Sequence, residues 1–322
     1  MRKTNSRKGN VELSKNGRSQ RTSLRILQWV LVVAIFFFLG KMVWDHWIQV
    51  KDTPFTLRAF PFILSTLIFA LSYFIQIGAW YLITLRLKIA LSPSETLGIW
   101  FYSQLGKYLP GKIWLLLSRF YFYESKGKSK KNILVALYLE TVSMIGAAAV
   151  IFLAVLIFHR ELGFFYSWTR YGWLILLSLL GLAFLHPRVL QSVLNWVLMK
   201  WKREPISLSI SYLQILLVLF VCILSWMVGG IGFYLFTASV YPVSSQYLLF
   251  LTGALAASSM LGLMAIFAPS GLGVREGALV YLLSFLMATP IAVIISVLTR
   301  IWMTLIEIGM IGVIYLFRKF QR

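Results

Sequence analysis

The chain predicts an all-α polytopic membrane protein with about six full spans plus two opposed re-entrant helical hairpins, arranged as an inverted repeat. Three observations carry that reading. The 322 residues are 59% hydrophobic and only 13% charged, more apolar surface than a single soluble core of this size can hide. Several runs exceed the roughly 18 consecutive apolar residues that read as a membrane span. Two of those runs are interrupted by proline, clustered glycine and charge. Backbone groups freed at membrane depth must face protein or a wet cavity rather than lipid.

Charge gives the orientation. The formal net charge is +21, from 31 Lys+Arg against 10 Asp+Glu. In a soluble chain this excess would point to nucleic acid. Here the basic residues gather in loops and tails, so the positive-inside rule accounts for them and no nucleic-acid partner is expected. The single cysteine, Cys222, lies inside an apolar run. It can form no internal disulfide and reads as a small hydrophobe.

Taken in order, residues 1–25 form a basic, disordered cytoplasmic tail suited to touching anionic lipid heads. A helical membrane domain follows over residues 26–318, and 319–322 form a basic cytoplasmic C-terminus. The first span runs from Ile26 to about Trp44 and reads as an uncleaved signal anchor. The second runs from Phe60 to about Ile83, with Arg86 and Lys88 marking a cytoplasmic end. Leu97 to Phe120 contains the first interruption and is flanked on both sides by cytoplasmic charge, including Lys126, Lys128, Lys130 and Lys131. It therefore enters and leaves on one side, as two half-helices meeting at Pro110-Gly111. Ile133 to Phe158 crosses outward, and Trp173 to Leu185 returns. Val189 to Trp201 places Leu190, Leu194, Val197 and Trp201 on one face, the pattern of an interfacial helix. Tyr212 to Thr237 crosses outward. Leu248 to Phe267 and Ala278 to Ala288 form the second interrupted pair, which enters from outside. Ile291 to Phe317 crosses inward. Both termini are thus expected in the cytoplasm of an integral cell-membrane protein. Span, broken pair and span recur in each half with opposite orientation, as in transporters whose site lies between inverted repeats. Trp44, Trp47, Trp80, Tyr81, Trp168 and Trp173 lie near expected span ends and read as an interfacial belt.

Each interruption is followed by a new helix, so each sets unpaired N–H groups and a positive dipole end inside the membrane domain. In the first, Lys107, Pro110, Gly111 and Lys112, with Arg119 beyond, are the candidate substrate-binding residues. In the second they are Pro269, Gly271, Gly273, Arg275 and Glu276. Arginine can grip two oxygens of a phosphate diester while lysine acts as a point charge. Three further charges fall within spans: Glu140, on one face with Ser143 and Ala147, and Arg300 and Glu307, two turns apart on one helix. A mid-membrane charge costs about 3 kcal/mol or more, so each needs a partner or water. These three are read as charge-balancing or coupling residues: salt bridges between hairpins and spans, or a proton path.

No catalytic residue is assigned. His46, His159 and His186 sit near expected span ends without metal-ligand spacing, and HExxH, CxxC, GxSxG and Walker motifs do not occur in the sequence. Gly271 to Gly277 reads GxGxxxG, one residue off the dinucleotide fingerprint and in no βαβ context. No cofactor is expected.

The second interruption, Pro269-Ser270-Gly271-Leu272-Gly273-Val274-Arg275-Glu276-Gly277, resembles the transmembrane domain of the lysylphosphatidylglycerol synthase family. This is the flippase-like membrane domain of multiple peptide resistance factors. Gly106-Lys107-Tyr108-Leu109-Pro110-Gly111-Lys112 with Arg119 resembles the matching proline-basic segment, although Ile113-Trp114 stand where many relatives carry a Gly-acid pair. The resemblance covers most of residues 26–318. It implies movement of a polar lipid between leaflets, without the attached soluble aminoacyl-transferring domain. Membrane lipids, anionic or polyprenyl-linked, are the implied partners. A membrane transferase in lipid-linked sugar or aminoacyl-lipid metabolism is the alternative function. Another is a non-transporting membrane partner of an envelope enzyme, and association with that enzyme or with a second copy fits the same reading.

Overall fold

The computed structural model describes residues 57–108, 113–159, 187–200, 211–265, 271 and 273–320, with isolated positions 37, 40, 41, 44, 45 and 176. The N-terminal tail, most of the span expected over 26–44, and the outer loop near 160–170 lie outside them. So do nearly all of the span expected over 173–185, residue Trp201, and Pro110, Gly111, Lys112 and Pro269.

Every regular element among the described residues is helical. Helix α1 is Ala59–Arg86, α2 Pro93–Gln104 and α3 Ile113–Ser125, with a 3-10 turn Leu105–Tyr108 after α2. Helix α4 is Lys130–Phe158 and α5 Pro187–Lys200. In the second half, α6 is Tyr212–Val240, α7 Leu248–Met264, α8 Val274–Leu283 and α9 Thr289–Phe320. Helices α1, α4, α6 and α9 are long and apolar enough to cross a membrane, and so is Ser245–Met264, the first arm of the second hairpin. These four long helices are the four predicted spans that fall within the described residues.

Local sequence sets the ends. Ser92 accepts from the Glu95 N–H while Pro93 opens α2, and the Glu95 carboxylate reaches back to the Ser92 N–H. This capping box satisfies two otherwise orphaned donors. Ser211 and Gln214 do the same for α6, and Ser129 caps α4. The first interruption is broader than a single Pro-Gly joint, because α2 tightens into the 3-10 turn before residue 109. The second is shorter than expected. Helix α8 already begins at Val274, so Arg275 and Glu276 occupy its first turn rather than a linker.

The two halves pair across α1 and α6. Arg58 donates to the Ser239 carbonyl at 2.9 Å, Phe62 lies beside Phe236, and the Ser225 hydroxyl donates to the Ser72 carbonyl. Rising numbers on one helix match falling numbers on the other, so α1 and α6 are antiparallel. By the same reasoning α9 runs parallel to α1, through Trp302–Thr66 and Glu307–Tyr73. Helix α4, beginning where α1 ends through Asn132 and the Leu87 carbonyl, runs against it. Corresponding helices of the two halves, α1 with α6 and α4 with α9, are therefore antiparallel, as an inverted repeat requires. Small residues permit the close approach: a Cβ on Gly232 would fall 3.0 Å from Phe69 Cβ, between α6 and α1.

One aromatic lies elsewhere than predicted. Trp80, expected in the interfacial belt, is completely buried. Helix α1 continues to Arg86, which sets Trp80 well inside the helix, and its ring covers a buried arginine described below. Trp44 is exposed, while Trp47, Trp168 and Trp173 lie outside the described residues.

Candidate functional site

The two interruptions meet on α9. Lys107, in the 3-10 turn of the first, forms an ion pair with Glu307 of α9. Tyr73 of α1 donates its hydroxyl to the same Glu307 oxygen at 2.6 Å. Two turns earlier on α9, Arg300 faces Glu276 of the second interruption, with Nη1 3.5 Å from Oε1. One helix thus holds both hairpins through pairs of opposite polarity, acid on α9 toward the first and base on α9 toward the second.

Arg275 and Glu276, adjacent in sequence, separate in space. Glu276 is buried and its Oε2 accepts the Gly273 N–H at 2.8 Å, capping α8. Its backbone carbonyl accepts from the Ser296 hydroxyl. Glu276 Oε1 has no hydrogen bond, leaving the Arg300 guanidinium as its counter-charge. Arg275 instead turns toward the Met303 sulfur, 2.8 Å away. No carboxylate among the described residues forms an ion pair with it. Arg275, Glu276, Leu279, Ser296, Thr299 and Arg300 line one narrow cleft between α8 and α9.

The electrostatics follow from this grouping. Arg275 and Arg300 lie within electrostatic reach of Lys107, and Glu276, Glu307 and Tyr73 lie within reach of Arg275. Among the described residues of this group, three cations stand beside two carboxylates.

Glycine makes the second interruption possible. Gly271 and Gly273 have φ of +71° and +80°, a region costly for residues with a Cβ. A Cβ on Gly271 would also fall 2.7 Å from the Gly262 carbonyl oxygen, and one on Gly262 would fall 2.8 Å from Arg275 Cβ. The packing of bare backbone on bare backbone is what seats Arg275 against α7. In the first interruption Gly106 has the same role: a Cβ there would meet the Trp114–Leu115 backbone at 2.6 Å.

Arg119 and Glu140 form a separate, enclosed pair. Arg119 is 1% exposed. It donates from Nη1 to Glu140 Oε2 at 2.5 Å and from Nε to Ser103 Oγ at 3.2 Å. The guanidinium lies 4.7 Å from the Trp80 ring centroid and 5.6 Å from that of Trp100. Trp100 also donates to Glu140 Oε1, and Trp80 donates to the Tyr123 hydroxyl. Glu140, Ser143 and Ala147, predicted on one protein-facing side of α4, are all buried. This nest joins α1, α2, α3 and α4. Arg119, predicted as one of the substrate-binding residues that engage phosphate, is enclosed here by carboxylate, hydroxyl and two rings.

The structure therefore brings together Lys107, Gly271, Gly273, Arg275, Glu276, Arg300 and Glu307, and sets Arg119 and Glu140 apart. Tyr73, Trp100, Ser103 and Met303 join these groups without any signal in the sequence reading, since each is an ordinary interior residue by pattern alone. His159 caps α4 and packs near Tyr247 and Phe250. Among the described residues no cluster of His, Cys, Asp and Glu could hold a metal.

Residues 22–308 match the family model for the lysylphosphatidylglycerol synthase TM region. No match was found among curated proteins, and none among solved structures.

Proposed function

The chain belongs to the lysylphosphatidylglycerol synthase transmembrane-region family, and from that premise we propose that it moves a phosphate-bearing polar lipid between membrane leaflets. It is a membrane protein of a lipid-related family; the transport step is our inference. The observation that carries it is the meeting of both helix interruptions on α9, at a largely enclosed cluster where, among the described residues, three cations stand beside two carboxylates and Arg275 forms no ion pair. Discontinuous helices meeting in this way are how many transporters build a substrate site.

In this reading Arg275 and Lys107 engage the headgroup phosphate, with Lys112 on the same interruption. A phosphate oxygen competes with Glu307 for the Lys107 ammonium, and Glu276 and Arg300 keep the second hairpin in register. The hairpins then open to opposite sides in turn, with both termini in the cytoplasm of the cell membrane. The enclosed Arg119–Glu140 pair holds the first hairpin to α4. Reconstitution in liposomes with labelled lipids measures leaflet exchange directly. Arg275→Gln is expected to slow exchange about tenfold or more, the loss of one charge-assisted contact, while the protein still elutes as a folded species. Wild-type exchange no faster than in empty liposomes, across anionic and zwitterionic lipids, would sink the transport reading.

A transferase reading has one specific observation in its favour. Glu276 offers a buried carboxylate oxygen with no hydrogen bond, as a general acid or base needs. Purified protein incubated with a labelled lipid-linked donor decides it: a new covalent product lost in Glu276→Gln supports the enzyme.

A further inference from the structure

Helix α9 carries Arg300, Met303 and Glu307 as one stripe, because residues three, four and seven apart share a helix face. Each has a different partner. Arg300 faces Glu276, the Met303 sulfur receives the Arg275 guanidinium, and Glu307 accepts from Lys107 and Tyr73. Arg275 thus stands over the middle of the stripe, with a like charge on one side and a carboxylate on the other. Both lie within its electrostatic reach.

The sulfur contact is a weak one for a guanidinium. A thioether is an uncharged, weak acceptor, and the unbranched methionine side chain adapts easily. Glu307 lies four residues further along α9, about 6 Å along the helix axis, a distance that an arginine side chain covers by changing rotamer. In the structure that carboxylate already has a counter-charge, because Lys107 reaches it from the first interruption. Lys107 sits in the 3-10 turn and Arg275 in the first turn of α8. The two cations therefore approach one carboxylate from different hairpins.

We propose that Glu307 is a shared counter-charge, paired with Lys107 in the state described and with Arg275 when a phosphate takes the Lys107 ammonium. Whichever cation is not holding phosphate then keeps a carboxylate, so the exchange avoids the costly one-sided breaking of a buried pair. Phosphate passes from one interruption to the other as the carboxylate passes the opposite way. Tyr73, donating to Glu307 from α1, holds the carboxylate in place throughout. The phosphate rests on the lipid-transport reading; the exchange of partners is a property of these side chains and is tested without lipid.

Thermal unfolding of the full chain in lipid-free detergent provides the test. Lys107→Gln should melt lower than wild type yet stay folded, because Arg275 takes its place at Glu307. Arg275→Gln alone should lose little, since it gives up only the sulfur contact. The double variant should lose more than the two single losses together, by about 2 °C or more, because Glu307 then has neither cation. Repulsion between Lys107 and Arg275, which lie within electrostatic reach, would give an excess of the same sign. The cycle is therefore repeated in Glu307→Gln, where exchange predicts that the excess disappears and repulsion that it persists. Arg275→Lys in the Lys107→Gln chain should keep the Lys107→Gln midpoint, because the charge is retained. A structure of Lys107→Gln should place an Arg275 guanidinium nitrogen within about 4 Å of a Glu307 carboxylate oxygen. Additive losses, an excess that survives Glu307→Gln, or a Lys107→Gln chain that does not fold each overturn the proposal. An intact cycle in a protein that moves no lipid in liposomes would sink the transport reading and leave the exchange of partners standing.

Discussion

Lys107 and Glu307 are 200 positions apart in sequence yet share one contact. Glu307 is buried and accepts from both Lys107 and Tyr73, so deleting Lys107 leaves the carboxylate its Tyr73 hydrogen bond and removes the Lys107 counter-charge. Breaking a buried pair on one side costs about 3–5 kcal/mol, whereas replacing both partners can be nearly neutral. Lys107→Gln and Glu307→Gln should each lower the melting temperature in detergent, and the double variant should lose less than the sum. Strict additivity in the double-mutant cycle would mean the pair contributes nothing. The need for such partners was legible in the sequence, because a charge inside an apolar run must be neutralised. The identity of the partners was not. Salt bridges between hairpins and spans were expected without their members, and Arg275 and Glu276, adjacent in sequence, turn to different partners in the first turn of α8. Trp80 shows the same limit: a tryptophan near a span end serves equally as an interfacial anchor or as the wall of a buried arginine nest, and only the three-dimensional packing decides.

At the scale of elements, the interruptions depend on backbone rather than side chains. Gly271 and Gly273 both have positive φ, but only Gly271 also packs against neighbouring backbone; a Cβ on Gly273 would meet open space. Gly273→Ala should therefore cost about 1–2 kcal/mol from conformation alone. Gly271→Ala should cost clearly more, because α7 and α8 must separate as well. Equal losses in thermal unfolding would argue against the close packing. The first hairpin is fastened differently. Glu95 caps α2 and pairs with Lys126, just beyond α3, at 2.7 Å. The Lys126 hydrogen bond, followed by those from Ser92, lowers the Glu95 carboxyl from 4.5 to about 2. A depressed carboxyl contributes stability above its unfolded value and loses it as pH falls through the folded one. The fastening should therefore hold at pH 5 and release between 4.5 and about 2. A carbon-13 titration of Glu95 should show this low midpoint, and Lys126→Ala should raise it toward the ordinary carboxylate range. The helix starts at Pro93, four residues before the expected Leu97, and the fastening to Lys126 required knowing that α2 and α3 fold back on each other.

The described helices form two antiparallel halves, and hydropathy with loop charge was enough to outline this, because span length and the sidedness of basic loops are properties of sequence. How the halves interlock was not legible. Close contacts such as Gly232 with Phe69 and Phe62 with Phe236 depend on which face of each helix turns inward, and nearly uniform apolar spans have little periodicity to reveal it. The antiparallel relation of α1–α4 to α6–α9 has a consequence for sidedness. If the hairpins enter from opposite sides, the start of α2 and the start of α7 must face opposite compartments. Ser94 and Ser244 are exposed at those two positions, whereas Ser103 is fully buried against Arg119 and would label poorly. Cys222 is also fully buried, so Cys222→Ser gives a silent background with little expected change in fold. In that background, cysteine at Ser94 should react with a membrane-impermeant maleimide only after the cytoplasmic face is opened. Cysteine at Ser244 should react in intact cells. Labelling of both positions from one side would mean that the two halves, although antiparallel, do not present their hairpins to opposite faces, and the alternating opening proposed for this chain would have no structural basis.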